Sequence, residues 1–117
     1  MEKQMREHIT LANIGHVKYI KTHTSGKLNA VWVHNNYGQG TGIAVSQTAS
    51  SEFEGTYQVT YFDMHGLEVA HLDLKIVKSG DVFNLTWLKN NAITSLGVGM
   101  IHENALCVGY CDTNLPS

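Results

Sequence analysis

Four side chains able to hold or move a proton recur in one setting, each two positions after an aromatic residue. The pairs are Trp32 with His34, Tyr61 with Asp63, Trp87 with Lys89, and Tyr110 with Asp112. A histidine beside a carboxylate can do general acid–base work near neutral pH, and a lysine can steady a negative charge. His34 with Asp63 is the pair such chemistry would use, with Lys89 as the clamp. The plainer reading is that charged residues finish a core column where it meets water. On that balance Trp32, Tyr57, Tyr61, Trp87, Tyr110, His34, Asp63, Lys89 and Asp112 are expected to bind a ligand, and no catalytic residue is assigned.

The spacing has a cause in the elements that carry it. Residues 28–36 read LNAVWVHNN and residues 83–91 read FNLTWLKNN, with four of nine positions identical at an offset of 55. Both lie in a region where apolar and polar residues alternate, which is the period of a strand with one buried face. Short turns punctuate it: Asn35-Asn36, His65-Gly66, Ser79-Gly80, Asn90-Asn91 and Glu103-Asn104. Eight strands are expected between them, at about 16–22, 27–34, 38–47, 55–64, 67–78, 81–89, 95–103 and 105–111. With every connection short, each strand pairs antiparallel with the next.

In such a meander the even-numbered strands run the same way, so matching residues reach matching heights. The second strand offers Leu28, Ala30, Trp32 and His34, and the fourth Tyr57, Val59, Tyr61 and Asp63. The sixth gives Phe83, Leu85, Trp87 and Lys89, and the eighth Leu106, Val108, Tyr110 and Asp112. Side-chain layers drawn from alternate strands are what a closed eight-stranded barrel requires. Alternating glycines on the third strand (Gly38, Gly40, Gly42) and the seventh (Gly97, Gly99) leave inner faces bare, so large rings can lie over backbone. The expected fold is all-β with a short N-terminal helix. It comprises one domain over 1–117: helix 1–15, an eight-stranded antiparallel up-and-down barrel over 16–112, and a tail over 113–117. The helix rests on Met1, Met5, Ile9 and Ala12 sharing one face, with Gly15 as its stop.

Composition narrows the partners. Charged residues make up 15% of the chain and the net charge is −2, with no cluster of Lys or Arg, which argues against nucleic acid. No apolar run is long enough for a membrane helix, and the Met-Glu-Lys start lacks a signal peptide's apolar stretch. A cytoplasmic, bacterial setting is the expectation. Cys107 and Cys111, four apart on one strand, would stand roughly 13 Å apart, too far for a mutual disulfide. Seven histidines show no metal-ligand spacing, so neither a metal nor another cofactor is expected.

The eight-strand meander whose strands end aromatic-x-polar resembles small up-and-down ligand-binding barrels, the avidin-like proteins and lipocalins. That resemblance implies a pocket at one barrel end and frequent oligomerisation. The leading expectation is therefore non-enzymatic binding of a small apolar or aromatic molecule. One alternative is a homo-oligomeric interaction module with a filled barrel; another is a cofactor-free isomerase or cyclase. Outward-facing Val31, Val33, Ile43, Val45 and Phe62 on three neighbouring strands, with Val98 and Met100 further round, point to a homodimer.

Overall fold

Period-two alternation carries most of the described residues into β-structure. In a computed structural model, which describes residues 12–47 and 52–113, eight strands follow one another. They are β1 (Ile14–Lys21), β2 (Lys27–His34), β3 (Gly38–Ser46), β4 (Gly55–Asp63), β5 (Glu68–Ser79), β6 (Val82–Lys89), β7 (Ala92–His102) and β8 (Ala105–Asp112). Each pairs antiparallel with the next, and β1 closes on β8, giving a barrel with no free edge.

The turns fix the registers. Asn90-Asn91 and Glu103-Asn104 both take left-handed dihedrals at both positions, the geometry that matches the twist of a two-residue hairpin. Tyr61 sits opposite Ala70, Val59 opposite Leu72 and Tyr57 opposite Leu74, as the sequence implies. The β5–β6 hairpin differs: its turn is Gly80-Asp81, so Lys78 faces Phe83 and Leu74 faces Trp87. The expected turn at Ser79-Gly80 is thus displaced by one residue and the register by two. Gly80, at φ +64°, takes the left-handed position. A shift of two preserves which face each residue occupies, so the inner set is unchanged.

The N-terminal helix expected over 1–15 is corrected. Residues 1–11 lie outside the described residues, and among the described residues there is no helix. Ile14 and Gly15 belong to β1, and Asn13 has a left-handed φ of 62°. The Asn13 and Ile14 amides donate to the side-chain oxygens of Asn36 and Asn35, tying this segment to the β2–β3 turn. Backbone groups committed across strands cannot also make helical bonds. Of the tail, residues 114–117 also lie outside the described residues.

Inside, the barrel is filled at one end and hollow at the other. Leu28, Tyr57, Phe83 and Leu106 form a fully buried layer, with Ala30, Val59, Leu85 and Val108 above it. Phe53, from the β3–β4 connection, closes this end: its ring meets Phe83 edge-on at 6.4 Å, and its carbonyl accepts the Tyr57 hydroxyl at 2.9 Å. The next layer, Trp32, Tyr61, Trp87 and Tyr110, is where the packing opens, since both tyrosines are only half-buried.

Candidate functional site

Each ring of that third layer lies over a glycine of a neighbouring strand. A Cβ at Gly40 would sit 2.8 Å from the Trp32 ring, and one at Gly42 2.8 Å from Tyr61. At Gly97 it would meet Trp87 at 3.0 Å, and at Gly15 it would strike Tyr110 at 2.3 Å. Four missing side chains therefore let four large rings pack close against the neighbouring backbone. The space they leave is a cavity of about 530 Å³ at the barrel end where β2, β4, β6 and β8 finish. Seven of the nine expected ligand-binding residues line it: Trp32, His34, Tyr61, Asp63, Trp87, Tyr110 and Asp112. The other two do not. Tyr57 is bonded to Phe53 in the filled end, and Lys89 is exposed outside the mouth.

A polar chain runs along one wall. His34 Nε2 lies 3.0 Å from Asp112 Oδ2, and the Ser95 hydroxyl donates to Asp112 Oδ1 at 2.7 Å. His34 and Ser95 are 4% and 8% exposed, so these bonds are sheltered from water. His34 Nδ1 accepts the Asn36 amide at 3.0 Å, which assigns the ring proton to Nε2 and makes it the donor to Asp112. Both ring nitrogens are thus engaged. Contact between His34 and Asp112 spans β1, where the strand partner of His34 is Gly15, which brings no side chain of its own.

Asp63, the partner expected for His34, is turned to another task. Its Oδ1 accepts the amides of His65 and Leu67 at 2.8 and 3.0 Å, holding the β4–β5 turn. The Leu67 bond is the main reason its carboxyl stays below the usual carboxylate range. A serine that donates to the aspartate, with a histidine that also donates to it, is not an activated nucleophile. In that arrangement the base would have to accept the serine proton.

The phenols form a second network. Tyr19, fully buried inside the barrel, has its hydroxyl 2.5 Å from that of Tyr61, and the Trp87 indole N–H donates to the Tyr61 oxygen at 2.8 Å. Trp32 donates its N–H to the Thr41 carbonyl at 2.8 Å. Burial pushes the Tyr61 phenol up to about 12 and raises Tyr19 and Tyr110 as well. Trp87 and Tyr110 meet at 5.3 Å between centroids, and Tyr37 covers His34 at 4.6 Å.

The sequence reading did not single out Val17, Tyr19, Tyr37, Val69 or Ser95. Ser95 was within reach, since it shares the parity of Gly97 and Gly99. Val17 and Tyr19 alternate on β1 like every other inner pair. Tyr37 and Val69 flank turns, where alternation says nothing. Among the described residues no group of three His, Cys, Asp or Glu side chains is placed to hold a metal ion. Cys107 and Cys111 are free thiols. No protein-family model matches the chain, and comparison with curated proteins and with solved structures returned no match, so the likeness shown is that of a small up-and-down barrel in architecture alone.

Proposed function

We propose that this barrel binds a small apolar or aromatic molecule in the cavity at its open end, in the manner of avidin-like or lipocalin-like proteins. The observation that carries the reading is the combination of a filled lower barrel with an open ring-walled space of about 530 Å³. That volume lies within the roughly 300–1,000 Å³ of small-molecule sites, and a few polar groups among apolar walls are their usual composition. Trp32 and Trp87 are each fixed by a hydrogen bond from the indole N–H, so little ordering cost should fall on binding.

Binding is favoured here over acid–base catalysis because His34 has no free ring nitrogen and Asp63 is occupied by a turn. Ala70, half-buried on β5 opposite Tyr61, lines the cavity and offers the test. Ala70→Trp should fill the space, keep the fold by circular dichroism, and abolish thermal shifts produced by aromatic ligands in the unaltered protein. Equal shifts in both proteins would place binding elsewhere and sink the reading.

A further inference from the structure

Within the cavity reading above, on which this inference rests, the hydrogen bonds among the phenols decide what kind of molecule fits. Tyr19 is wholly buried, and its only hydrogen-bond acceptor among the described residues is the Tyr61 oxygen. If Tyr61 donated to Tyr19, the Tyr19 proton would be left buried without a partner, at a cost of about 1–3 kcal/mol. Tyr19 therefore donates. The Tyr61 oxygen then receives two protons, from Tyr19 and from the Trp87 indole, which uses both of its lone pairs. Its own proton has no acceptor among the described residues, and Tyr61 lines the cavity. Tyr61 is thus a donor only. Tyr110, which lines the same cavity from β8 across the barrel, adds a second hydroxyl.

Charge narrows the choice further. Asp63 and Asp112 line the mouth, and among the described residues no lysine or arginine does. His34 spends its ring proton on Asp112. An anionic ligand would meet two carboxylates with no cation to offset them. A quaternary ammonium would suit the rings and carboxylates, but it would leave the Tyr61 proton facing a group that accepts nothing.

We infer that the site takes a neutral aromatic or alicyclic carbonyl compound, with the carbonyl oxygen against the Tyr61 hydroxyl and the ring between the tryptophans. A carbonyl oxygen has two lone pairs, so it can accept from Tyr61 and Tyr110 together.

The experiment uses four probes of one shape: 2-acetylnaphthalene, 2-ethylnaphthalene, 2-naphthoate and the trimethyl(2-naphthyl)ammonium ion. Their dissociation constants are measured by tryptophan quenching at pH 8 against the full chain and against Tyr61→Phe. The ketone should bind the unaltered protein about tenfold tighter than the ethyl compound, with both ions weaker than the ketone, and Tyr61→Phe should erase the ketone's advantage. The infrared carbonyl band of the bound ketone, shifted down in the unaltered protein, gives a readout independent of the variant's folding. Ethyl and acetyl compounds binding equally, either ion binding tightest, or an unshifted carbonyl band would overturn the inference while leaving the cavity reading standing. Failure of all four to bind would overturn both.

Discussion

Tyr61 sits where the burial of a phenol and the supply of protons to it are balanced by two neighbours. With its pKa held at about 12 mainly by burial, it keeps its proton well above the value of 10 usual for tyrosine. Burial raises Tyr19 and Tyr110 in the same direction. The sign for stability follows directly. Below pH 10 folded and unfolded chains hold these protons alike, so the contribution is fully present. Between pH 10 and about 12 the unfolded chain releases the Tyr61 proton that the folded one retains, and stability falls by at most about 1.4 kcal/mol per pH unit from this group, with Tyr19 and Tyr110 acting in the same direction. Urea midpoints should therefore be flat with respect to these groups up to pH 10 and decline steeply beyond, with a shallower decline for Tyr61→Phe. Midpoints independent of pH between 10 and 11.5 would mean that the phenols ionise as freely as in water. Asp63 shows the opposite case, a carboxylate whose local turn bonds outcompeted a distant histidine. Sequence alone could place both residues at the same height of the barrel, but it could not say which nearer donors Asp63 would meet first.

The strands were legible because alternation is a property of each residue's own neighbours. Inner columns, outward valines and most turns could be read without knowing the fold. What alternation leaves open is register in steps of two, and the β5–β6 hairpin shows it: Ser79-Gly80 and Gly80-Asp81 give the same inner face. Helical spacing over the first fifteen residues was a weaker signal, since it borrowed Gly15, whose bare face lies under Tyr110 in β1. The glycines give the most direct test of how these elements shape the cavity. A Cβ at Gly40 would lie 1.9 Å from the Phe62 carbonyl oxygen and 2.8 Å from the Trp32 ring, whereas one at Gly109 meets nothing within 4 Å. Gly40→Ala should cost about 1–3 kcal/mol or more in chemical denaturation, because backbone cannot yield as a side-chain tip can. Gly109→Ala, on an open outer face, should stay within about 0.5 kcal/mol of the parent. If the two variants are equally stable, the close ring-over-backbone packing on β3 is not what shapes the site.

The outside of the barrel bears on assembly. Val31, Val33, Ile43 and Val45 stand 36–49% exposed on β2 and β3, beside a half-buried Phe62 on β4. Direct cross-strand partners alternate apolar with polar, Val31 facing Thr41 and Ile43 facing Thr60. The valines, Ile43 and Phe62 therefore form a diagonal band with hydroxyls and amides between. We propose that a second copy covers this band in an isologous dimer, the simplest closed arrangement for one self-complementary patch. Burying a few hundred Å² of apolar surface per subunit at about 25 cal/mol/Å² contributes several kcal/mol, set against the cost of association. Interleaved polar groups would have to find partners across the interface, which makes the fit specific to one pairing. The band lies on the outer wall and the cavity opens at the barrel end, so the two should be separable. Val33→Lys combined with Ile43→Lys should convert a dimer to a monomer by sedimentation while leaving the affinity for 2-acetylnaphthalene unchanged. A monomer for the unaltered chain at micromolar concentration, or a dimer surviving both lysines, would remove this face as the interface. Affinity lost together with the dimer would show instead that the partner helps to form the site.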